Sequence, residues 1–274
     1  MAAQPVRIKP EERKIKLSNI LSKIAGQSPA APPQRFERKY AVLPMNIGLA
    51  LSLLRQVCRP DKEYPRDRVH SLYFDTADLD QYERSAAGDY RKDKVRIRWY
   101  SNNTDSLEDV TVYLELKTRQ GFASSKQRRK FMAPGFFLKP ENLSRGILDK
   151  TTILQTLARF GHFPEKPLKP IIVISYTRYR FNEIQTGERV SFDHDIRASL
   201  VDPTLGRREK EIRLPNGVIE VKGPSLALPL TLRNLRVMDI DWSRFSKYGN
   251  CLEIYFSEPG SLARLWPSGK LVLP

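Results

Sequence analysis

Residues 111–119 read TVYLELKTR, and where their charges point decides what kind of sheet this chain builds. In an extended chain Leu114, Leu116 and Thr118 share one face, while Glu115, Lys117 and Arg119 share the other. An ordinary half-buried strand turns its apolar face to a core and its polar face to water. Taken alone, the segment is such a strand. The same alternation recurs along the chain, however. In RFERKY, Arg35, Glu37 and Lys39 lie opposite Phe36 and Tyr40. VRIRWY sets Arg96 and Arg98 against Val95, Ile97 and Trp99, and KQRRKF aligns Lys126, Arg128 and Lys130. TRYRF aligns Arg178 and Arg180 with Tyr176, and SFDHDIR sets Asp193, Asp195 and Arg197 against Phe192 and Ile196. VIEVKG sets Glu220 and Lys222 against Ile219 and Val221.

Solvated strand faces explain any one of these segments, but they explain the set less well. Bases outnumber acids about two to one on these faces, a self-repelling arrangement unless an anion lies between them. If the strands close into a barrel, each has a lumenal side and an outer side. A charged lumen then leaves the apolar sides outward, to be covered by helices. Many antiparallel strands with a few helices predict an α+β or barrel-like fold.

Composition agrees with a polyanion-binding protein. The 274 residues carry 47 Lys+Arg against 31 Asp+Glu, a formal charge of +16, which attracts nucleic acid, anionic lipid or phosphorylated small molecules. Cys58 and Cys251 lack CxxC spacing, which argues against a disulfide scaffold or zinc site and for a reducing compartment. The three histidines are scattered and read as structural, so a bound metal would rest on carboxylates and be hard, Mn²⁺ or Mg²⁺. Trp99 and Tyr73 read as core residues on apolar sides, and Asp75 as the end of a strand. No run of about 18 apolar residues predicts a membrane helix, and the N-terminus lacks the apolar core of a signal peptide. A soluble, cytoplasmic protein is the expectation.

Two regions are expected. Residues 1–34 form a basic tail in which Leu17, Ile20, Leu21 and Ile24 recur at helical spacing beside Lys14, Lys16 and Lys23, followed by the linker AGQSPAAPPQ. The plain reading is a semi-disordered tail. The alternative docks this helix on a partner protein, the inner face of an anionic membrane, or the protein's own cavity. Residues 35–274 form the main domain. Strands are predicted at 35–42, 68–74, 93–100, 110–119, 126–132, 171–182, 188–197, 208–214 and 218–223, the last two as a hairpin turning at Pro215-Asn216-Gly217. Helices are predicted at about 45–58 and 151–160, and shorter ones near 78–85 and 242–248.

The segments ERKY, SLYFDT, VRIRWY, LELKTR, SKQRRKF, SYTRYRF, VSFDHDIRA, IEVKG and FSKYGN occur in the order found in the polyphosphate-polymerase (VTC) domain of the vacuolar transporter chaperone. The chain resembles that family, a branch of the triphosphate tunnel metalloenzymes that include CYTH-type triphosphatases and adenylyl cyclases, over about residues 35–255. The resemblance implies an α+β fold, an eight-stranded antiparallel β-barrel with flanking helices, whose lumen binds nucleoside triphosphate and a divalent ion. It implies transfer of the terminal phosphoryl group of ATP to growing polyphosphate, with release of ADP. By motif match it assigns Arg96, Arg98, Lys117, Lys126 and Arg178 to the reacting phosphates. Arg35, Lys39, Arg128, Lys222, Ser246 and Lys247 are assigned to binding along the tunnel. Glu220 is assigned to the metal, helped by Glu37 and Glu115 unless those two only aim the bases. Asp193 and Asp195 are left between a second metal and counter-charges.

The chain has no room for the regulatory domain and membrane helices of the eukaryotic polymerase subunit, which implies a free-standing domain. Two other functions fit the same residues. One is a tunnel triphosphatase that hydrolyses tripolyphosphate or nucleoside triphosphate. The other is a non-catalytic polyanion binder, although carboxylates among the bases argue against specific nucleic-acid binding.

Overall fold

The computed structural model describes residues 36–100, 108–121, 123–205, 211–238, 240 and 245–257. The N-terminal tail expected at 1–34, its helix included, and Arg35 lie outside the described residues. The strands, in chain order, are β1 (Phe36–Val42), β2 (Cys58–Pro60), β3 (Arg66–Asp75), β4 (Arg91–Tyr100), β5 (Asp109–Gln120), β6 (Ala123–Pro134), β7 (Lys169–Glu183), β8 (Arg189–Leu200), β9 (Glu211–Leu214) and β10 (Gly217–Gly223). The α-helices are α1 (Ile47–Val57), α2 (Asp80–Ala86), α3 (Lys150–Arg159) and α4 (Lys247–Ser257). All the strand pairings are antiparallel.

Eight strands form one hydrogen-bonded path, β1-β10-β8-β7-β3-β4-β5-β6, with β2 against β7 and β9 against β8. Among the described residues no ladder joins β1 to β6, so the sheet does not close into the expected barrel. The sheet nevertheless curls far enough for its two ends to face each other. Lys117 on β5 reaches Glu37 on β1 at 2.9 Å, although five strands separate β1 and β5 along the path. The free edge at β6 has a plain physical reason. Residues 123–130 are exposed, and Lys126, Arg128, Arg129 and Lys130 lie among them, the charge decoration with which an edge strand resists further pairing.

The expected hairpin at Pro215-Asn216-Gly217 is overturned. β9 pairs with Ile196–Ser199 of β8, and β10 pairs with Arg189–Asp193 of the same strand. The two therefore lie end to end along one neighbour, and the Pro-Asn-Gly step is a bend between them. Asp195 sits opposite that bend at φ 50, and the β7–β8 register shifts nearby, between Ser175 and Thr177. A bulge on both sides of a ladder makes room for what turn chemistry alone reads as a reversal.

The apolar faces point outward and are covered, as expected. Val95, Ile97, Trp99, Leu114 and Leu116 are buried with Ile153 and Leu157 of α3. Tyr40, Val42, Phe192, Ile219 and Val221 are buried with Ala50 and Leu54 of α1. At about 25 cal/mol per Å² these faces supply the bulk of the fold's stabilisation. Asp149 starts α3 by accepting a hydrogen bond from the Thr152 N–H at 2.8 Å. Of the helix expected at 242–248, residues 242–244 lie outside the described residues; α4 begins at Lys247, where Ser246 accepts from the Gly249 N–H at 3.1 Å.

Candidate functional site

The lumenal face is built by ladder register. Lys94, Lys117 and Lys126 are direct partners across β4, β5 and β6. The next row on this face is Tyr73, Arg96, Glu115 and Arg128, and the one after it Ser71, Arg98, Tyr113 and Lys130. Across the lumen, β1 and β10 present Glu37, Lys39, Glu220 and Lys222. From the open end of the sequence, Phe245, Ser246 and Lys247 enter ahead of α4. The Phe245 carbonyl accepts from Lys39 at 3.3 Å, and the Ser246 hydroxyl from Lys94 at 2.9 Å. The N-terminus of an 11-residue helix, with its partial positive charge, thus opens beside three lysines.

Glu115 is the hub of the basic cluster. It is 1% exposed and bonds Arg96 at 2.7 Å and Lys126 at 2.5 Å, with Arg98 at 3.9 Å. Burial opposes its ionisation, but Arg96, Arg98 and Lys126 overcome that and hold its carboxyl down at about 2. Asp193 does the same on the opposite wall, with Arg178 at 2.6 Å and Lys247 at 2.6 Å. Despite complete burial it too is held at about 2. Each of these two carboxylates is ion-paired with two or more bases. Asp195 leaves the lumen at the bulge and pairs with Arg68 and Arg197.

Among the described residues no three His, Cys, Asp or Glu side chains gather into a metal-holding group. Burial and the Glu220 charge raise the proton affinity of Glu37, but Lys39, Lys117 and Lys222 outweigh them; burial likewise opposes the ionisation of Glu220, and Lys222, Lys39, Arg178 and Lys117 keep it ionised. Glu220 bonds Lys222 at 2.6 Å. Two ionised carboxylates fit a hard divalent ion that completes its shell with waters and substrate phosphate oxygens. Glu115 is not in that pair.

Lys94 was not singled out by sequence reasoning, although it lies one step before VRIR on the same face as Arg96. Its burial, and then the positive charge of Lys39, Lys117 and Arg96, pushes its ammonium down to about 8, and no carboxylate partners it among the described residues. Lys126, whose side chain is 39% exposed, is pushed down to about 8 by partial desolvation, with Glu115 opposing. Tyr73, read as a core residue, is buried in a hydrophobic cluster and stacked on Tyr248, and it also stands opposite Arg96 in the ladder. Its hydroxyl accepts from Arg96 at 3.1 Å, and against its burial the Arg96 and Arg98 charges lower it to about 8. Arg98 donates to Ser71 and Tyr176 and is almost fully buried. Arg128 faces the lumen but is exposed, its guanidinium over the Tyr113 ring 5.0 Å from the centroid. Asp75, read as a strand end, accepts from the backbone of Thr76, Gln81 and Tyr82 and from the Tyr248 hydroxyl, tying α2 to α4.

Residues 34–256 match the family model described as the VTC domain. Subunit 4 of the vacuolar transporter chaperone complex of Schizosaccharomyces pombe is 27% identical over 161 residues, 55% of this chain and 21% of that protein. A probable cytosol aminopeptidase of Exiguobacterium sibiricum is 28% identical over 131 residues, 47% of this chain and 24% of that protein. The chain thus spans between a fifth and a quarter of the length of these curated relatives. A putative adenylate cyclase from Bacillus halodurans superposes with a TM-score of 0.48 at 17% identity, over 82% of this chain and 98% of that one. The family model covers the whole of the curled sheet, β1 to α4, and on that ground the chain belongs to the VTC domain family.

Proposed function

We propose that this protein is a metal-dependent polyphosphate polymerase that transfers the terminal phosphoryl group of ATP to a growing polyphosphate chain. The observation that carries this reading is the row Lys94–Lys117–Lys126 beside Arg96 and Arg98. It is a lumenal stretch of cations that its own carboxylates do not balance and that a chain of phosphates would. Phosphoryl transfer asks a protein chiefly for positioning and charge neutralisation. Arg96, already oriented by Glu115 and Tyr73, and Arg98, oriented by Ser71 and Tyr176, grip non-bridging oxygens of the transferred group. Lys94, Lys117 and Lys126 hold the flanking phosphates as compact charges. Arg178 and Lys247, aimed by Asp193, and Lys39 and Lys222 serve the opposite wall. Glu37 and Glu220 would hold Mn²⁺ or Mg²⁺, which supplies Lewis-acid neutralisation of phosphate charge when bound.

In the reaction a terminal oxygen of the acceptor chain bonds to the γ-phosphorus. The bond from that phosphorus to its bridging oxygen breaks, and the electron pair leaves with ADP. The acceptor oxygen is already anionic, so no strong base is required. Incubation with ATP and Mn²⁺, followed by a urea gel stained for polyphosphate, should give a polymer ladder with stoichiometric ADP. Orthophosphate without a ladder would replace the polymerase with a triphosphatase. Loss of turnover with retained polyanion binding in Glu220→Gln separates either enzyme from a passive binder, in which the substitution leaves binding intact or stronger and has no turnover to remove.

A further inference from the structure

Behind β1, on the side away from the lumen, lies a cavity of about 310 Å³ lined by Arg38, Tyr40, Leu226, Leu228, Leu235, Arg236 and Ile240 together with Ala227. It sits at the small end of the volumes that hold small ligands, and its wall mixes apolar side chains with polar groups in nearly equal share. Arg38 is 1% exposed. One terminal nitrogen donates to the Ala227 carbonyl and the other to Glu188, which leaves its Nε buried with no acceptor. A buried donor of that kind is exceptional and calls for a partner. Glu188 comes this close to the strand because residue 223 is glycine. A Cβ there would stand 2.2 Å from the Glu188 carboxyl carbon.

The charge is also incomplete. Glu188 neutralises Arg38. Arg236 carries a second positive charge with no ion-pair partner among the described residues, and the Tyr40 hydroxyl makes no hydrogen bond there. The exposed, unbalanced Arg236 cation and the Tyr40 phenol stand near each other on the wall, and three leucines and an isoleucine supply the rest. We infer that this cavity is a second binding site, separate from the tunnel, for an amphiphilic monoanion: a carboxylate head on an acyl or aryl body of medium length. A single negative charge matches the single uncompensated cation, and a planar carboxylate suits guanidinium and phenol donors. β1 presents Lys39 and Glu37 to the lumen and Arg38 and Tyr40 to this cavity, so both sites share one strand.

The test is a titration of carboxyl-¹³C octanoate into the whole protein, followed by NMR, with acetate, octanol and octyl phosphate as comparison probes. Saturable sub-millimolar octanoate binding is expected, at least ten-fold tighter than acetate or octanol. Arg236→Ala, an exposed change, should weaken it ten-fold or more, and Leu228→Trp, which fills the cavity from a half-buried position, should abolish it. Lys117→Ala in the tunnel should leave it unaltered. Octanol binding as well as octanoate would overturn the anion requirement, and acetate doing so would overturn the apolar one. Tighter octyl phosphate would overturn the monoanionic head. Octanoate binding that survives Leu228→Trp, or that disappears with Lys117→Ala, would move the ligand out of this cavity and overturn the site while leaving the tunnel reading intact.

Discussion

Removing the charge of Glu115 while keeping its shape should expose how much of the fold is spent on aiming the lumenal bases. Its carboxyl, ordinarily near 4.5, is held at about 2 by Arg96, Arg98 and Lys126. At 1.36 kcal/mol per pKa unit, that coupling contributes about 3 kcal/mol to stability at neutral pH. Breaking a buried pair by deleting one partner gives the same scale. Glu115→Gln should therefore lower the melting temperature by ~6–12 °C at pH 7, at ~2–4 °C per kcal/mol for a domain of this size. Because the folded carboxyl is the stronger acid, the contribution is complete above about pH 4.5 and fades as pH falls toward 2. By linkage the gap between wild type and variant should shrink to under half near pH 3. Urea unfolding followed by tryptophan fluorescence at pH 7, 4 and 3 measures it. Adding tripolyphosphate at pH 7 should narrow the gap, since phosphate oxygens replace the lost counter-charge. A variant within 2 °C of wild type at pH 7 would refute the assignment of Glu115 as the counterion of Arg96 and Lys126.

Three further outcomes are expected. Lys94→Met should raise the KM for the triphosphate about ten-fold or more, with a smaller effect on the melting temperature than Glu115→Gln, because Lys94 lacks a carboxylate to leave stranded. Affinity for tripolyphosphate, measured by calorimetry, should fall as pH rises through about 8, where Lys94 and Lys126 lose their protons. The fall should be shallower in Lys94→Met. Gly223→Ala should cost ~3–5 kcal/mol in chemical denaturation, since its Cβ displaces Glu188 and strands the buried charge of Arg38.

Much of the site was written in the strands themselves. Because a strand's side chains alternate strictly, VRIRWY and LELKTR assign Arg96, Arg98, Glu115 and Lys117 to one face without knowledge of their neighbours. Tyr73 shares its strand side with Ser71 and Asp75, opposite Leu72 and Phe74, but an aromatic ring with a hydroxyl tip serves a core and a polar face alike. Its partner Arg96 in the adjacent strand reveals its side. Lys94 escaped because it precedes the recognised motif, and its lack of a counterion depends on β1 and α4, which are distant in sequence. The sorting of the carboxylates was likewise out of reach. Glu37, Glu115 and Glu220 all alternate with bases, yet Glu37 and Glu220 stand diagonally across adjoining strands, close enough for the charge of one to act on the other, while Glu115 is enclosed by Arg96 and Lys126.

The sequence by itself determined which residues share a face, since period-two alternation is a local property of extended backbone. It also determined that those faces carry an excess of positive charge, and that the apolar faces would need helices over them. Only the tertiary structure decided how the faces meet. The curl of the sheet brings Glu37 to Lys117 without a ladder between β1 and β6, and the bulge at Asp195 turns an apparent hairpin into one continuous run along β8. The reason is that strand order, curvature and counter-charge depend on pairings between distant segments, and no local pattern encodes them.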